Sequence, residues 1–190
     1  MLTERTIQIA IFRLLRSKTA VALPNFTPSG WWECDLWAVT KSGYAHEYEI
    51  KLTTSDFRAD AAKRSGPRWR YRNGLWENLG TVSKHEQLQH ADDKGPAYFW
   101  FVAPKGLLAR ENIPEWAGLV EVLDGKGRML PLLYGEKPAP RRHRIKVTEQ
   151  AMAAAQRVCY WRFWHEAENV QRMIRDRADR ERMLAEGKQT

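Results

Sequence analysis

Cysteine and long apolar runs are scarce in this chain of 190 residues. Its two cysteines, Cys34 and Cys159, are too few for a disulfide framework, and they predict a reducing compartment. No apolar stretch approaches the ~18 residues that a membrane helix needs. Glu4 and Arg5 precede any apolar run, so the first residues do not resemble a signal peptide. These absences predict a cytoplasmic protein that does not span a membrane.

Acidic side chains are fewer than basic ones. Asp and Glu number 23 against 31 Lys and Arg, which leaves a net charge of +8. Such a surplus predicts a polyanionic partner, and nine Trp residues offer rings that can stack on bases. An anionic membrane surface is the alternative, but no segment forms a basic amphipathic helix with a clean apolar face. We therefore expect nucleic acid as the partner, while the oligomeric state stays open.

The order of helical and strand patterns predicts an α/β fold with a mixed sheet flanked by helices. We expect a domain over residues 1–146 and a long helical extension over 147–190, with the aromatic residues of that helix in the core. The remaining predicted segments are a helix at 3–17, strands at 31–40 and 44–53, a helix from 54 to 63, a loop at 64–82, a helix at 83–92, and strands at 97–103, 118–123 and 128–133.

The two strands at 31–40 and 44–53 carry the most informative pattern. A three-residue turn at residues 41–43, ending in a left-handed Gly43, places Asp35 opposite Glu49. A two-residue turn would instead place Asp35 opposite Ile50. The three-residue turn is favoured because it gathers the bulky residues of the second strand on one face.

Two carboxylates directly opposite each other repel, unless a cation lies between them. Asp35 and Glu49 therefore predict a site for Mg²⁺ or a similar hard cation, and Lys51 on the same face would hold or deprotonate a metal-bound water. The alternative is a solvated cross-strand ion cluster. We expect Glu33 to pair with Lys51, and Glu47 to be a surface acid.

Asp35 followed by Glu49-Ile50-Lys51 resembles the PD-(D/E)XK nuclease superfamily. The stretches HEYEIKLTTSDFRAD and AYFWFVAP are similar to a phage and bacterial branch that includes MmcB-like DNA-repair proteins, and the resemblance covers residues 1–123. Cys34 stands where the name-giving proline would be. The resemblance implies a restriction-endonuclease-like core.

In that superfamily the matching acids and the carbonyl between Glu and Lys bind metal. Those roles fall here on Asp35, Glu49 and Ile50, which would hold Mg²⁺ or Mn²⁺, and on Lys51, which would assist the attacking water. Glu4 matches a helix carboxylate that some members place near the metal, and the favoured alternative is a stabilising charge at the N-terminus of the first helix. The resemblance thus implies a Mg²⁺-dependent deoxyribonuclease. The alternative is a non-catalytic DNA-binding repair or phage accessory protein on the same fold.

Two further segments predict nucleic-acid contacts. Cations alternate with aromatic rings in the first, which suits phosphates and exposed bases, and its residues are Arg68, Trp69, Arg70 and Arg72. The second is the start of the next helix, where Lys84 and His85 stand. The alternatives are a loop whose rings pack back on the protein and a solvated helix face.

Overall fold

The structure is a computed structural model that describes residues 2–62, 64–72, 75–89, 95–125 and 130–186. For residues 61–62, 64–72, 76–79, 81–82 and 185–186 it describes the backbone alone. The chain divides into two compact units, Met1–Ala151 and Met152–Thr190, each of which is described by itself.

Helices and strands alternate along the first unit, and one long helix makes up most of the second. In chain order the elements are α1 (Glu4–Leu15), β1 (Thr19–Phe26), β2 (Cys34–Thr40), β3 (Ala45–Ile50), α2 (Thr54–Ala62), β4 (Arg64–Arg72), β5 (Leu75–Ser83), α3 (Lys84–Gln89), β6 (Tyr98–Pro104), a 3-10 turn (Arg110–Asn112), β7 (Ala117–Leu123), β8 (Leu132–Lys137) and α4 (Glu149–Glu186).

Six strands form one mixed sheet in the order β1-β2-β3-β6-β7-β8. β3, β6 and β7 run parallel, and the other neighbouring pairs are antiparallel. β4 and β5 form a separate two-stranded sheet. The predicted α/β class, with a mixed sheet flanked by helices and a long C-terminal helix, is confirmed.

Each face of the large sheet carries its own apolar cluster. On one face, Ile7 and Ile11 of α1 pack against Leu36, Tyr48 and Ile50. The second cluster joins Phe99 and Phe101 of β6 to Leu88 of α3, with Phe57 of α2 packed against it. Because side chains alternate along a strand, Glu47 and Glu49 of β3 lie on this second face, beside Phe99 and Phe101 of the parallel neighbour.

The register of the β2–β3 hairpin agrees with the predicted three-residue turn. Leu36 lies opposite Tyr48 and Ala38 opposite His46, the register in which the next pair would be Asp35 and Glu49. Gly43 has a φ of +90°, and its N–H donates to Thr40 O at 2.9 Å. A left-handed glycine closes this turn without steric cost, so the local sequence is sufficient to set the register.

The loop predicted at 64–82 is wrong, because the backbone there forms the β4–β5 hairpin. Pro67 and Gly80 suggested a loop, but the ladder shifts register on both sides of Pro67, and Gly80 has a φ of +80°. Proline and glycine are compatible with strands at such irregularities. β1, which the sequence analysis missed, likewise contains Pro24 and lies at an edge of the sheet.

The prediction that the aromatic residues of α4 lie in the core is wrong, because these side chains are exposed. Tyr160 is 56% exposed, Trp161 60% and Phe163 64%. Helical spacing shows that a helix has an apolar face, but not whether that face meets the chain's own core. None of the helices in the described ranges combines the length and apolar character that crossing a bilayer requires.

Candidate active site

The candidate site lies on the sheet face that α2 and α3 border, at the C-terminal end of β3. Glu47 and Glu49 project from this face, and Lys51 follows directly after the strand. All three side chains are buried, as are Asp60 of α2 and Lys84 of α3. Charged groups are seldom buried unless they are paired, so the contacts among these five residues explain why the fold tolerates them.

Lys84 lies between two of the carboxylates. Its Nζ is 2.8 Å from Glu47 Oε1 and 2.6 Å from Glu49 Oε2. The ammonium group also lies 5.4 Å from the ring centroid of Trp32 and 5.2 Å from that of Phe99. Burial alone would lower the pKa of Lys84, but the charges of Glu47 and Glu49 raise it above its usual value. Lys84 is therefore a permanent cation in this cluster.

Lys51 makes a second set of ion pairs. Its Nζ is 2.8 Å from Glu49 Oε1, 3.0 Å from Asp60 Oδ1 and 3.7 Å from Asp56 Oδ1. Although burial opposes it, the charge of Glu49 and the hydrogen bonds to Glu49 and Asp60 raise the pKa of Lys51. The Lys51 amine is consequently protonated at neutral pH.

Asp60 connects Lys51 to His85. Its Oδ2 lies 2.9 Å from His85 Nε2, while Oδ1 accepts from Lys51. Burial would raise the pKa of Asp60, but the hydrogen bond with His85 and the charges of Lys84 and Lys51 hold it well below its usual range. Asp60 thus stays ionised and fixes the orientation of both neighbours.

Asp35 reaches the same strand from β2. Its Oδ2 accepts a hydrogen bond of 2.7 Å from the N–H of Ile50, the residue that separates Glu49 from Lys51. Burial and the charge of Glu49 raise the pKa of Asp35 to about 7, and Glu4 adds to the effect. In the part of the chain that the structure describes, no cationic side chain forms an ion pair with Asp35.

Carboxyl groups outnumber ammonium groups in this cluster. Four carboxylates, those of Asp35, Glu47, Glu49 and Asp60, face the two ammonium groups of Lys51 and Lys84. The pKa of Glu47 is raised by burial despite Lys84, and its Oε2 is buried without a hydrogen-bond partner among the described residues. Carboxylate oxygens are the ligand type that a divalent cation such as Mg²⁺ prefers.

Within the described ranges, no three His, Cys, Asp or Glu side chains converge as a ready-made metal shell. Mg²⁺ commonly binds through one or two carboxylates and completes its coordination with water and substrate phosphate. Asp35 and Glu49 are the two carboxylates that the sequence predicts for this role, and both oxygens of Glu49 contact Lys51 and Lys84.

The structure brings five of the predicted site residues together and leaves the rest elsewhere. Asp35, Glu49, Lys51, Lys84 and His85 meet in one cluster, and Ile50 contributes its N–H. The remaining residues, Arg68, Trp69, Arg70 and Arg72, have their backbone on β4, and their side chains lie outside what the structure describes.

Two expectations about neighbouring acids are wrong. Glu33 is exposed and does not pair with Lys51, whose partners are Glu49, Asp60 and Asp56. Glu47 is fully buried rather than a surface acid.

Asp60 and Trp32 also belong to the cluster, although no sequence pattern assigned them a role. Trp32 Nε1 donates to Glu47 Oε1 at 2.7 Å, and Asp60 accepts from Lys51. The one sequence signal for Asp60 is its spacing of four residues from Asp56, which places both carboxylates on one side of α2.

An open cavity of about 520 Å³ adjoins His85. Its lining residues are His85, Gln89, Pro114, Glu115 and Trp116. The ring of Trp116 meets that of His85 edge-on, with 5.2 Å between the centroids. Neither Lys nor Arg occurs among these described lining residues, so the cavity suits an uncharged group better than a phosphate.

Comparisons with known proteins leave the chain without a family. No family profile matches the sequence, and no curated protein matches it. A solved structure of a protein of unknown function from Silicibacter pomeroyi is similar to this chain, with 16% sequence identity, a TM-score of 0.49 and 93% of each chain covered.

Proposed function

We propose that this protein is a metal-dependent deoxyribonuclease that hydrolyses phosphodiester bonds. The observation that carries the proposal is the 2.7 Å hydrogen bond from Ile50 N to Asp35 Oδ2. It brings the acid of the second strand to the Glu49-Ile50-Lys51 segment of the third, which is the arrangement that the resemblance to the PD-(D/E)XK superfamily implies. DNA repair or phage DNA processing in the cytoplasm is the setting that the same resemblance suggests.

Asp35 and Glu49 would hold Mg²⁺ or Mn²⁺, with the main-chain carbonyl of Ile50 as a further oxygen ligand. A cation bound there supplies a nucleophilic water at neutral pH and polarises a phosphate oxygen. Lys51 acts as a hydrogen-bond donor that holds the water or a phosphate oxygen. It does not take the proton, because Glu49 and Asp60 keep its amine protonated.

The chain connects this site to the basic β4–β5 hairpin on both sides. β4 directly follows α2, which carries Asp60, and β5 runs directly into α3, which carries Lys84 and His85. We propose that the arginines of β4 contact DNA phosphates and that Trp69 stacks on an exposed base. The cavity beside His85 then offers a place for an unpaired base.

The test is metal binding followed by cleavage. We expect Mg²⁺ to raise the melting temperature of the wild type, and labelled linear, circular or single-stranded DNA to be cut only with Mg²⁺ or Mn²⁺. Asp35→Asn and Glu49→Gln should each lose the shift and the cleavage, whereas Glu33→Gln, at an exposed position just before β2, should retain both. Wild-type protein that shows neither a metal-dependent shift nor cleavage would refute the proposal.

A specific observation favours a second candidate, the non-catalytic DNA-binding accessory protein. Lys51 and Lys84 together engage both oxygens of Glu49, which is only 3% exposed. In this reading the protein's own ammonium groups occupy the cation positions, and the cluster stabilises the fold.

Both candidates bind DNA in EDTA, with log affinity falling linearly as log salt rises. Replacing Arg68, Arg70 and Arg72 with Ala should make that slope shallower. An unchanged slope would remove β4 from the DNA-binding surface. Salt-dependent binding by a wild type that fails the metal test would favour the accessory protein.

A further inference from the structure

Five of the nine large apolar side chains that the described part of α4 exposes lie on a repeat of seven residues. Positions 160, 163, 167, 170, 174, 177, 181 and 184 are alternately three and four residues apart, which places them along one stripe of the helix. Large apolar side chains on the stripe are exposed, among them Phe163 at 64% and Ile174 at 55%. Gln156 continues the same spacing toward the N-terminal end. This pattern is typical of the contact seam of a coiled coil.

We propose that α4 pairs with α4 of a second copy of this chain as an antiparallel coiled coil. Antiparallel pairing about a point between Ala167 and Val170 places these two residues opposite each other. The same alignment sets Phe163 opposite Ile174. Each pair of facing stripe residues forms one layer of the seam. Because the two helices are identical, every layer occurs twice, once on each side of the two-fold axis.

The polar residues of the stripe favour antiparallel over parallel pairing of the two helices. In a parallel, in-register pair, Arg177 would face Arg177 of the other copy, and Glu181 would face Glu181, so two core layers would hold like charges. In the antiparallel alignment Arg177 lies opposite Tyr160, whose ring attracts a guanidinium group. Glu181 lies opposite Gln156, whose amide can donate to a carboxylate. An antiparallel second copy of α4 thus offers a partner to every polar residue of the stripe.

The stripe is long enough for such a pair. From Gln156 to Glu181 it spans nearly four heptads, about 39 Å of helix at 1.5 Å per residue. Its continuous apolar positions, Tyr160 to Ile174, cover about two heptads, so the antiparallel seam has four apolar layers at its centre and polar layers at both ends. Arg177 Nε and Glu181 Oε1 lie 2.8 Å apart along the helix, which partly neutralises both residues before a partner arrives.

Sedimentation equilibrium of the full chain tests the pairing. We expect wild type to show a concentration-dependent dimer of twice the monomer mass. The double variant Phe163→Glu with Ile174→Glu places charges in two layers, and we expect the dissociation constant to rise more than about 100-fold. The matched control is Trp161→Glu with Met183→Glu, which alters two residues that are exposed to 60% and 71% but lie off the stripe. The control should dimerise like wild type.

Three sedimentation results would each overturn the proposal. They are a monomeric wild type, a double variant that dimerises normally, and a control that dissociates as readily as the double variant.

A distance measurement tests the direction and keeps the full stripe intact. A spin label on Arg182→Cys, in a Cys159→Ser background, leaves only the buried Cys34 as a native thiol. Antiparallel helices place residue 182 opposite residue 155 of the other copy, so the two labels are about 40 Å apart along the axis. Parallel helices would bring the labels within about 20 Å across the pair, which would refute the antiparallel arrangement.

Discussion

Replacing Asp35 with Asn should stabilise the metal-free protein. The change removes one negative charge from beside Glu49 and keeps an amide oxygen that accepts from Ile50 N, at the position where Asp35 Oδ2 now lies at 2.7 Å. Shape and volume are nearly conserved. The stability change therefore reports the cost of holding an ionised carboxylate there without a cation.

The magnitude follows from the pKa of Asp35, which rises from 3.8 to about 7 on folding. A pKa difference of about three units corresponds to roughly 4 kcal/mol, which is the upper limit of the gain in unfolding free energy for Asp35→Asn at pH 8. Local rearrangement reduces it, and we expect about 1–3 kcal/mol. The sign of the pH dependence follows from an acid whose pKa is higher in the folded than in the unfolded state. Between pH 4 and 7 the folded state holds a proton that the unfolded state has lost, so stability falls as pH rises through this range.

The assay is urea unfolding in EDTA at pH 4 and at pH 8. Asp35→Asn should exceed wild type in unfolding free energy at pH 8 and match it near pH 4, where Asp35 is protonated in the folded state. Glu33→Gln, an exposed carboxylate two residues earlier, should have little effect at either pH. A variant that is destabilised at pH 8, or equally stabilised at both values, would refute the reasoning.

Three other substitutions test buried contacts of the first unit, each by chemical or thermal unfolding. Lys84→Met leaves Glu47 and Glu49 buried without their shared cation and should cost about 3–5 kcal/mol at pH 8, with a smaller loss at pH 5. Arg142→Ala removes donors to three backbone carbonyl oxygens and should lower the free energy of unfolding by about 2–4 kcal/mol. The control Arg144→Ala, at an exposed position, should lower it by less than about 0.5 kcal/mol. Gly118→Ala places Cβ 2.6 Å from backbone and ring atoms and should lower the melting temperature.

Features that depend on a few neighbouring residues were predictable. The turn at residues 41–43 sets the register of β2 and β3, because Gly43 alone supplies the left-handed conformation that the loop needs. The start of α3 is likewise local. Ser83 and Glu86 form a capping box, with Ser83 N donating to Glu86 Oε2 at 2.7 Å and Glu86 N donating to Ser83 Oγ at 3.1 Å.

Strands whose partners are distant or irregular were harder to predict. Apolar and polar residues alternate only weakly in β1, which also contains Pro24. Its strand conformation therefore depends on pairing with β2. The segment at 64–82 has the composition of a loop, yet each of its strands finds a partner in the other. Composition predicts the conformation of a segment alone, whereas pairing depends on which other strand is available.

The sequence by itself determined the α/β class, the hairpin and the convergence of Asp35 on the segment that holds Glu49 and Lys51, since all of these follow from local alternation and turn geometry. The tertiary structure alone decided that Lys84 lies between Glu47 and Glu49 and that Asp60 links Lys51 to His85. Glu49 and Lys84 are 35 residues apart in the chain. Their ion pair forms because the packing of α3 against β6 buries both groups, and buried charges are stable only beside a partner of opposite sign.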